Sequence, residues 1–157
     1  MIPWLRRGDP FPPLALALAE PNGLLAAGGD LGVPRLLAAY QRGIFPWFSP
    51  GEPILWWSPD PRMVLFPEEF RVSRSLRKRI VRGDYQITSD TAFAQVMAEC
   101  AAPRGDERGT WISPAMVQAY CWLHEAGHAH SFEAWVQGEN GVELAGGVFG
   151  VAIRRAF

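Results

Sequence analysis

Arg74, Lys78 and Arg82 recur at intervals of four, which puts three cations within roughly 80° of one helix face. Such a stripe can follow a phosphate backbone, each contact adding salt-dependent affinity, or it can be a solvated helix face. Arg77 and Arg79 lie on its flanks, and Leu76 and Ile80 are predicted to point the other way, toward a core. The seven tryptophans form a second group. An indole face stacks on a base for about 1–3 kcal/mol, although most tryptophans serve the core. Trp56, Trp122 and Trp135 are read as core. Trp47 and Trp111 sit in loops bounded by Gly and Pro, where binding residues concentrate.

His124-Glu125-Ala126-Gly127-His128 matches the H-E-x-x-H pattern of zinc hydrolases, which needs both imidazoles on one helical face. Gly127 reads as the helix terminator, so His128 falls on the following turn. His130 is too close to serve as the usual third ligand, which leaves Glu133, Glu139 or Glu143. Hydrogen bonding of the histidines around a helix end is the favoured reading, and no metal is expected. Gly146-Gly147 is expected to mark a close approach within a strand.

The elements that must hold these groups follow from the turn and cap signals. Residues 1–30 are punctuated by turns. Asp30 is a candidate N-cap for a helix that takes in Pro34 and runs to Arg42, with Gly43 just past its end. Prolines 46, 50, 53, 59, 61 and 67 break the next stretch into strands and ordered loops. Ser73 caps a helix over Arg74–Arg82, closed by Gly83. Tyr85–Thr88 is a strand, Asp90 caps a helix to about Cys100, and a polar loop covers Pro103–Gly109. Ser113-Pro114 opens another helix that ends near Gly127. His130–Val136 and Val142–Ile153 flank a Glu139-Asn140-Gly141 turn, a hairpin signal.

Composition narrows the function classes. About half of the residues are hydrophobic and 20% are charged, enough apolar material for a globular core. The net charge of −1 excludes a wholly basic nucleic-acid binder but leaves room for a local basic patch. Lys78 is the only lysine among 15 basic residues, so arginine here says less about guanidinium chemistry than usual. Two cysteines, Cys100 and Cys121, are too few for a disulfide framework and fit a reducing compartment. Arg6-Arg7 ahead of Leu14–Ala19 mimics a secretory leader, but the apolar run is short and prolines precede it. A cytoplasmic protein without a membrane span is expected.

Several runs then carry a resemblance. They are Glu20–Ala26, Gly28–Leu31, Tyr40–Phe48, Trp56–Arg62, Ser73–Ser75, Gly109–Ile112 and Leu123–Ser131. Collinear from about residue 20 to 152, they resemble the leucyl/phenylalanyl-tRNA–protein transferases of bacteria. The H-E-x-x-H run belongs to that pattern. The resemblance implies an α+β protein: a small N-terminal mixed module (1–67), then the first half of an acetyltransferase-like (GNAT-like) α/β domain (68–157). It implies transfer of Leu or Phe from aminoacyl-tRNA to the N-terminal Arg or Lys of acceptor proteins, which marks them for degradation. No cofactor is implied, and a monomer is expected.

By the same resemblance, Trp47 and Trp111 would hold the terminal adenosine of the tRNA. Arg74, Lys78 and Arg82 would receive its backbone, with Val81 standing where the family has a further cation. Tyr40 and Tyr120 would lie near the same site. Val148 and Phe157 would line an apolar pocket for the transferred side chain, Val148 replacing a larger residue of some relatives. Arg154-Arg155 departs from the small residues usual at that point. The family's later motifs, including a catalytic aspartate and glutamine, are not among these 157 residues. The catalytic residues are therefore expected beyond Phe157, and the sheet is expected to be unfinished there. A tRNA-binding fragment without activity is the alternative, and a zinc hydrolase a remote one.

Overall fold

The turn-rich start of the chain closes around a small four-stranded sheet. A computed structural model describes residues 1–103, 110–139, 141–154 and 156–157; residues 104–109 of the polar loop, Asn140 of the hairpin turn and Arg155 lie outside the described residues. Strands β1 (Trp4–Leu5), β2 (Leu24–Gly28), β3 (Phe45–Pro46) and β4 (Leu55–Trp57) lie in the order β1-β2-β4-β3. β1 is parallel to β2, and β4 is antiparallel to both its neighbours. The sequence marks only turns around β1, because two residues carry no readable period.

Helix α1 (Val33–Tyr40) stops two residues short of the predicted end. Its N-cap is Gly32 and not Asp30; the Asp30 carboxylate instead accepts the Gly32 N–H at 2.9 Å, a local turn before the helix. Helix α2 (Arg74–Arg82) forms as its signals predict. The Ser73 hydroxyl accepts the Leu76 N–H, and Gly83 closes the helix at φ 68°, a conformation that disfavours any side chain with a Cβ.

A second sheet follows, antiparallel in the order β5-β6-β7: β5 (Gln86–Ser89), β6 (Ala129–Gly138) and β7 (Gly141–Val151). Helices α3 (Phe93–Ala101) and α4 (Pro114–Glu125) pack on one face of it. Gly147 permits this approach, since a Cβ there would stand 2.7 Å from the Val96 side chain of α3. Ser113 caps α4 through the Met116 N–H, as predicted. α3 differs from expectation: its N-cap is Ala92, and Asp90 turns away from the helix toward β6.

The other face of this sheet carries Ile87, Phe132 and Val148, each about half exposed or more. α2 stands off that face across a cavity of about 710 Å³ lined by Leu76, Ile80, Ile87, Ala134 and Gly146. Leu76 and Ile80 therefore face apolar surface without reaching a core, and α2 buries no residue at all.

One hydrophobic cluster joins both sheets. Leu5, Phe11, Leu25, Leu36 and Trp56 from the first part pack with Phe93, Met97, Met116, Tyr120 and Leu123 from the second. Trp56 is fully buried, as expected, whereas Trp122 is half exposed on the outer side of α4. Trp135 is partly buried and donates to the Thr88 hydroxyl. Cys100 and Cys121 pack as half-buried free thiols against the cluster, and burial pushes the Cys121 thiol up. The fold is α+β.

Candidate functional site

Trp47 follows β3 directly and stays 52% exposed despite a backbone fixed on both sides. Its N–H donates to the Leu55 carbonyl at 2.9 Å, and its carbonyl accepts the Trp57 indole N–H at 2.7 Å. Trp111 lies in the turn that leads into α4. There its carbonyl accepts the Ser113 N–H at 3.0 Å, and its ring is 38% exposed. Both indoles thus present open faces from ordered backbone. Gly109, the first residue of the motif around Trp111, lies outside the described residues.

The two tyrosines join α1, which precedes β3, to α4. Tyr40 ends α1, which leads through Gly43 into β3; Tyr120 lies on α4, downstream of Trp111. Their hydroxyls are hydrogen-bonded to each other, with the rings edge-on at 6.4 Å between centroids. Burial pushes both phenols up, most for Tyr120, so both remain neutral hydroxyls near pH 7. Such a pair can donate or accept hydrogen bonds and cannot serve as a neutral-pH base.

Arg74, Lys78 and Arg82 are all exposed on α2, where the predicted stripe is realised. Arg82 also pairs with Asp84 at 2.5 Å, and Arg79 on the flank donates to the Tyr85 hydroxyl at 2.7 Å. The Arg82–Asp84 pair offsets part of the stripe's charge.

Val148 and Phe157 meet through a third residue. Val148 is paired with Phe132 across β6 and β7, and the Phe132 ring stands edge-on to Phe157 at 5.7 Å. Phe157 also covers Gly150, where a Cβ would lie 3.0 Å from its ring. All three side chains are about half exposed. The next side chain of β7, Phe149, points to the opposite face and touches Tyr120 and Phe93. The sheet therefore separates Val148 and Phe157 from Tyr40 and Tyr120. Phe132 and Trp57 are the neighbours the sequence left without a role. Alternation along β6 places Phe132 beside Val148 only once the register with β7 is known.

The imidazoles of His124 and His130 are engaged in hydrogen bonds, whereas His128 contributes only its backbone around the helix end. α4 ends at Glu125 and Gly127 takes φ 77°, so His128 lies beyond the helix. His124 Nδ1 donates to the Ala129 carbonyl at 2.8 Å, and its ring stacks on Phe93 at 4.3 Å. His130 Nδ1 bonds Asp90 at 2.8 Å, and the same carboxylate accepts the Ser131 N–H. Burial works against the Asp90 carboxylate, but these bonds and the two imidazoles hold it below its ordinary range. Glu133, only 1% exposed, accepts from Ser131, Thr88, Thr91 and the Ala92 N–H. Those bonds outweigh burial and hold its carboxyl low as well.

Two exposed indoles and a basic helix are thus presented on an α+β scaffold. Residues 64–157 match the leucyl/phenylalanyl-tRNA protein transferase family, and residues 29–60 match the N-terminal domain of that family. The chain is 62% identical over its full 157 residues to the leucyl/phenylalanyl-tRNA–protein transferase of Nitrosomonas europaea, covering 65% of that protein. It is 61% identical to the transferase of the same name from Chromobacterium violaceum, covering 66% of it. The chain belongs to the leucyl/phenylalanyl-tRNA protein transferase family, and it spans just under two thirds of these relatives' length.

Proposed function

We propose that this chain serves aminoacyl transfer: Leu or Phe passes from its tRNA to the α-amino group of a protein that begins with Arg or Lys. The observation that carries the reading is the 62% identity over all 157 residues to a transferase of that family, with family matches over residues 29–60 and 64–157. In that reaction the amine nitrogen attacks the ester carbonyl carbon. The C–N bond forms, the ester C–O bond breaks, and the amine proton ends on the released ribose oxygen. The ester is already activated, and an α-amine of pKa about 7.7–8.0 is partly free base at neutral pH. Positioning can therefore supply much of the rate, and no cofactor is needed.

Within this proposal Trp47 and Trp111 stack on the terminal adenosine, and Arg74, Lys78 and Arg82 follow the tRNA backbone. The patch of Val148, Phe132 and Phe157 takes the apolar side chain being transferred. Tyr40 and Tyr120 fix α1, ahead of Trp47, against α4, behind Trp111. The residues described bind and position, and residues 68–157 make up part of an acetyltransferase-like domain. The protein acts as a cytoplasmic monomer.

Binding of leucyl-tRNA to the 157-residue chain, measured against salt, tests the reading. The triple variant Arg74→Ala, Lys78→Ala, Arg82→Ala is expected to weaken binding and to flatten the slope of log K against log salt. The flattening should be roughly 0.7–0.9 for each phosphate that is no longer neutralised. An unchanged slope removes the basic helix from the interface.

A further inference from the structure

We propose that Trp57 is the positioning residue for Trp47, setting the angle of that indole as a platform for a nucleobase; this rests on the reading of Trp47 given above. β4 places two tryptophans in succession, and the pleat sends them to opposite faces. Trp56 points inward, is fully buried, donates its indole N–H to the Gly28 carbonyl at 2.8 Å, and packs edge-on against Phe11. The bond to Gly28 pins β4 to β2. Trp57 points outward from the strand so fixed, opposite Phe45 of β3.

From there Trp57 reaches two residues along the neighbouring chain. Its N–H meets the Trp47 carbonyl at 2.7 Å, and the two indole rings lie 6.1 Å apart at 52°. Trp47 emerges where β3 ends and regular pairing stops, so an unassisted backbone there could rotate. The Leu55 carbonyl holds its N–H and the Trp57 indole holds its carbonyl, and Pro46 before it is buried against further movement. Only the side chain of Trp47 is left free, and it is 52% exposed. An exposed aromatic held by its main chain on both sides presents a preset face, which lowers the ordering cost of stacking. Phenylalanine at position 57 would keep the ring packing and remove the donor, which makes it the decisive substitution.

The test compares Trp57→Phe, Trp47→Ala and the double variant in the whole 157-residue chain, with the ribotrinucleotide CCA as probe. Trp57→Phe is expected to leave the melting temperature near that of the parent. It should raise the exchange rate of the Trp47 amide about 5- to 10-fold and weaken CCA binding about 3- to 10-fold, the range of one net hydrogen bond. The double variant should bind no worse than Trp47→Ala alone, because Trp57 acts through Trp47. Unchanged exchange at the Trp47 amide in Trp57→Phe overturns the proposal whatever the binding result. Additive losses in the double variant overturn it too, since Trp57 would then touch the base itself. If Trp47→Ala binds CCA as the parent does, the base-stacking reading of Trp47 is what fails, and the role of Trp57 as its platform falls with it.

Discussion

Tyr40 and Tyr120 hold a hydroxyl–hydroxyl bond in a setting that disfavours the phenolate. Their folded-state pKa values lie above the unfolded one, so the stability they contribute is complete below about pH 10 and is lost as pH rises through the folded values. An alkaline titration followed by tyrosinate absorbance should show delayed ionisation that coincides with unfolding. Tyr40→Phe leaves the buried Tyr120 hydroxyl short of a partner and should cost about 1–3 kcal/mol in urea unfolding. Glu133 behaves in the opposite sense. Its pKa is depressed, so its contribution is present above about pH 4.3 and is lost as pH falls through the folded value. Glu133→Gln should flatten that acid limb. Glu133→Ala should destabilise by on the order of 2–3 kcal/mol, because three hydroxyls and an N–H are left without their acceptor.

Elements differ in how firmly the rest of the fold holds them. α2 buries no residue, so its order depends on its own caps and on the cavity rim. Ser73→Ala should remove about 1 kcal/mol of helix stability, and Gly83→Ala about 1–2 kcal/mol through the left-handed residue. Both losses should appear as faster amide exchange over residues 74–82 with little change in the global melting temperature. A shift in the global transition of several degrees would show that α2 is coupled to the core after all. The caps of α2 and α4 were legible because the Ser73 and Ser113 hydroxyls each accept the N–H three residues on, a bond written within one turn. Asp30 and Asp90 do not cap for one reason: a carboxylate satisfies the nearest N–H, and which N–H is nearest depends on the following turn or on a strand 41 residues away.

At the scale of the molecule, Met116 sits fully buried in the cluster that unites both sheets. Met116→Ala should cost about 2–5 kcal/mol. It should lower amide protection in β2 and in β6 together, within a single unfolding transition. Separate transitions would show that residues 1–67 and 68–157 are independent units despite the cluster they share. The same cluster holds α1 and α4, which the Tyr40–Tyr120 bond also joins.

The sequence by itself determined the α+β class, the position of α2, α4 and the last hairpin, the basic stripe, the exposed tryptophans and the family resemblance. These depend on local caps, periodicity and contiguous motifs, which are written within a few residues of one another. Only the tertiary structure decided that Leu76 and Ile80 stop short of a core, that Trp122 faces solvent, and that Val148 and Tyr120 occupy opposite faces of one sheet. It also decided that the Trp57 N–H reaches the Trp47 carbonyl. Each of those facts turns on strand register or on the stand-off between a helix and a sheet. A one-residue change in register sends every side chain to the other face, and no local pattern encodes that choice.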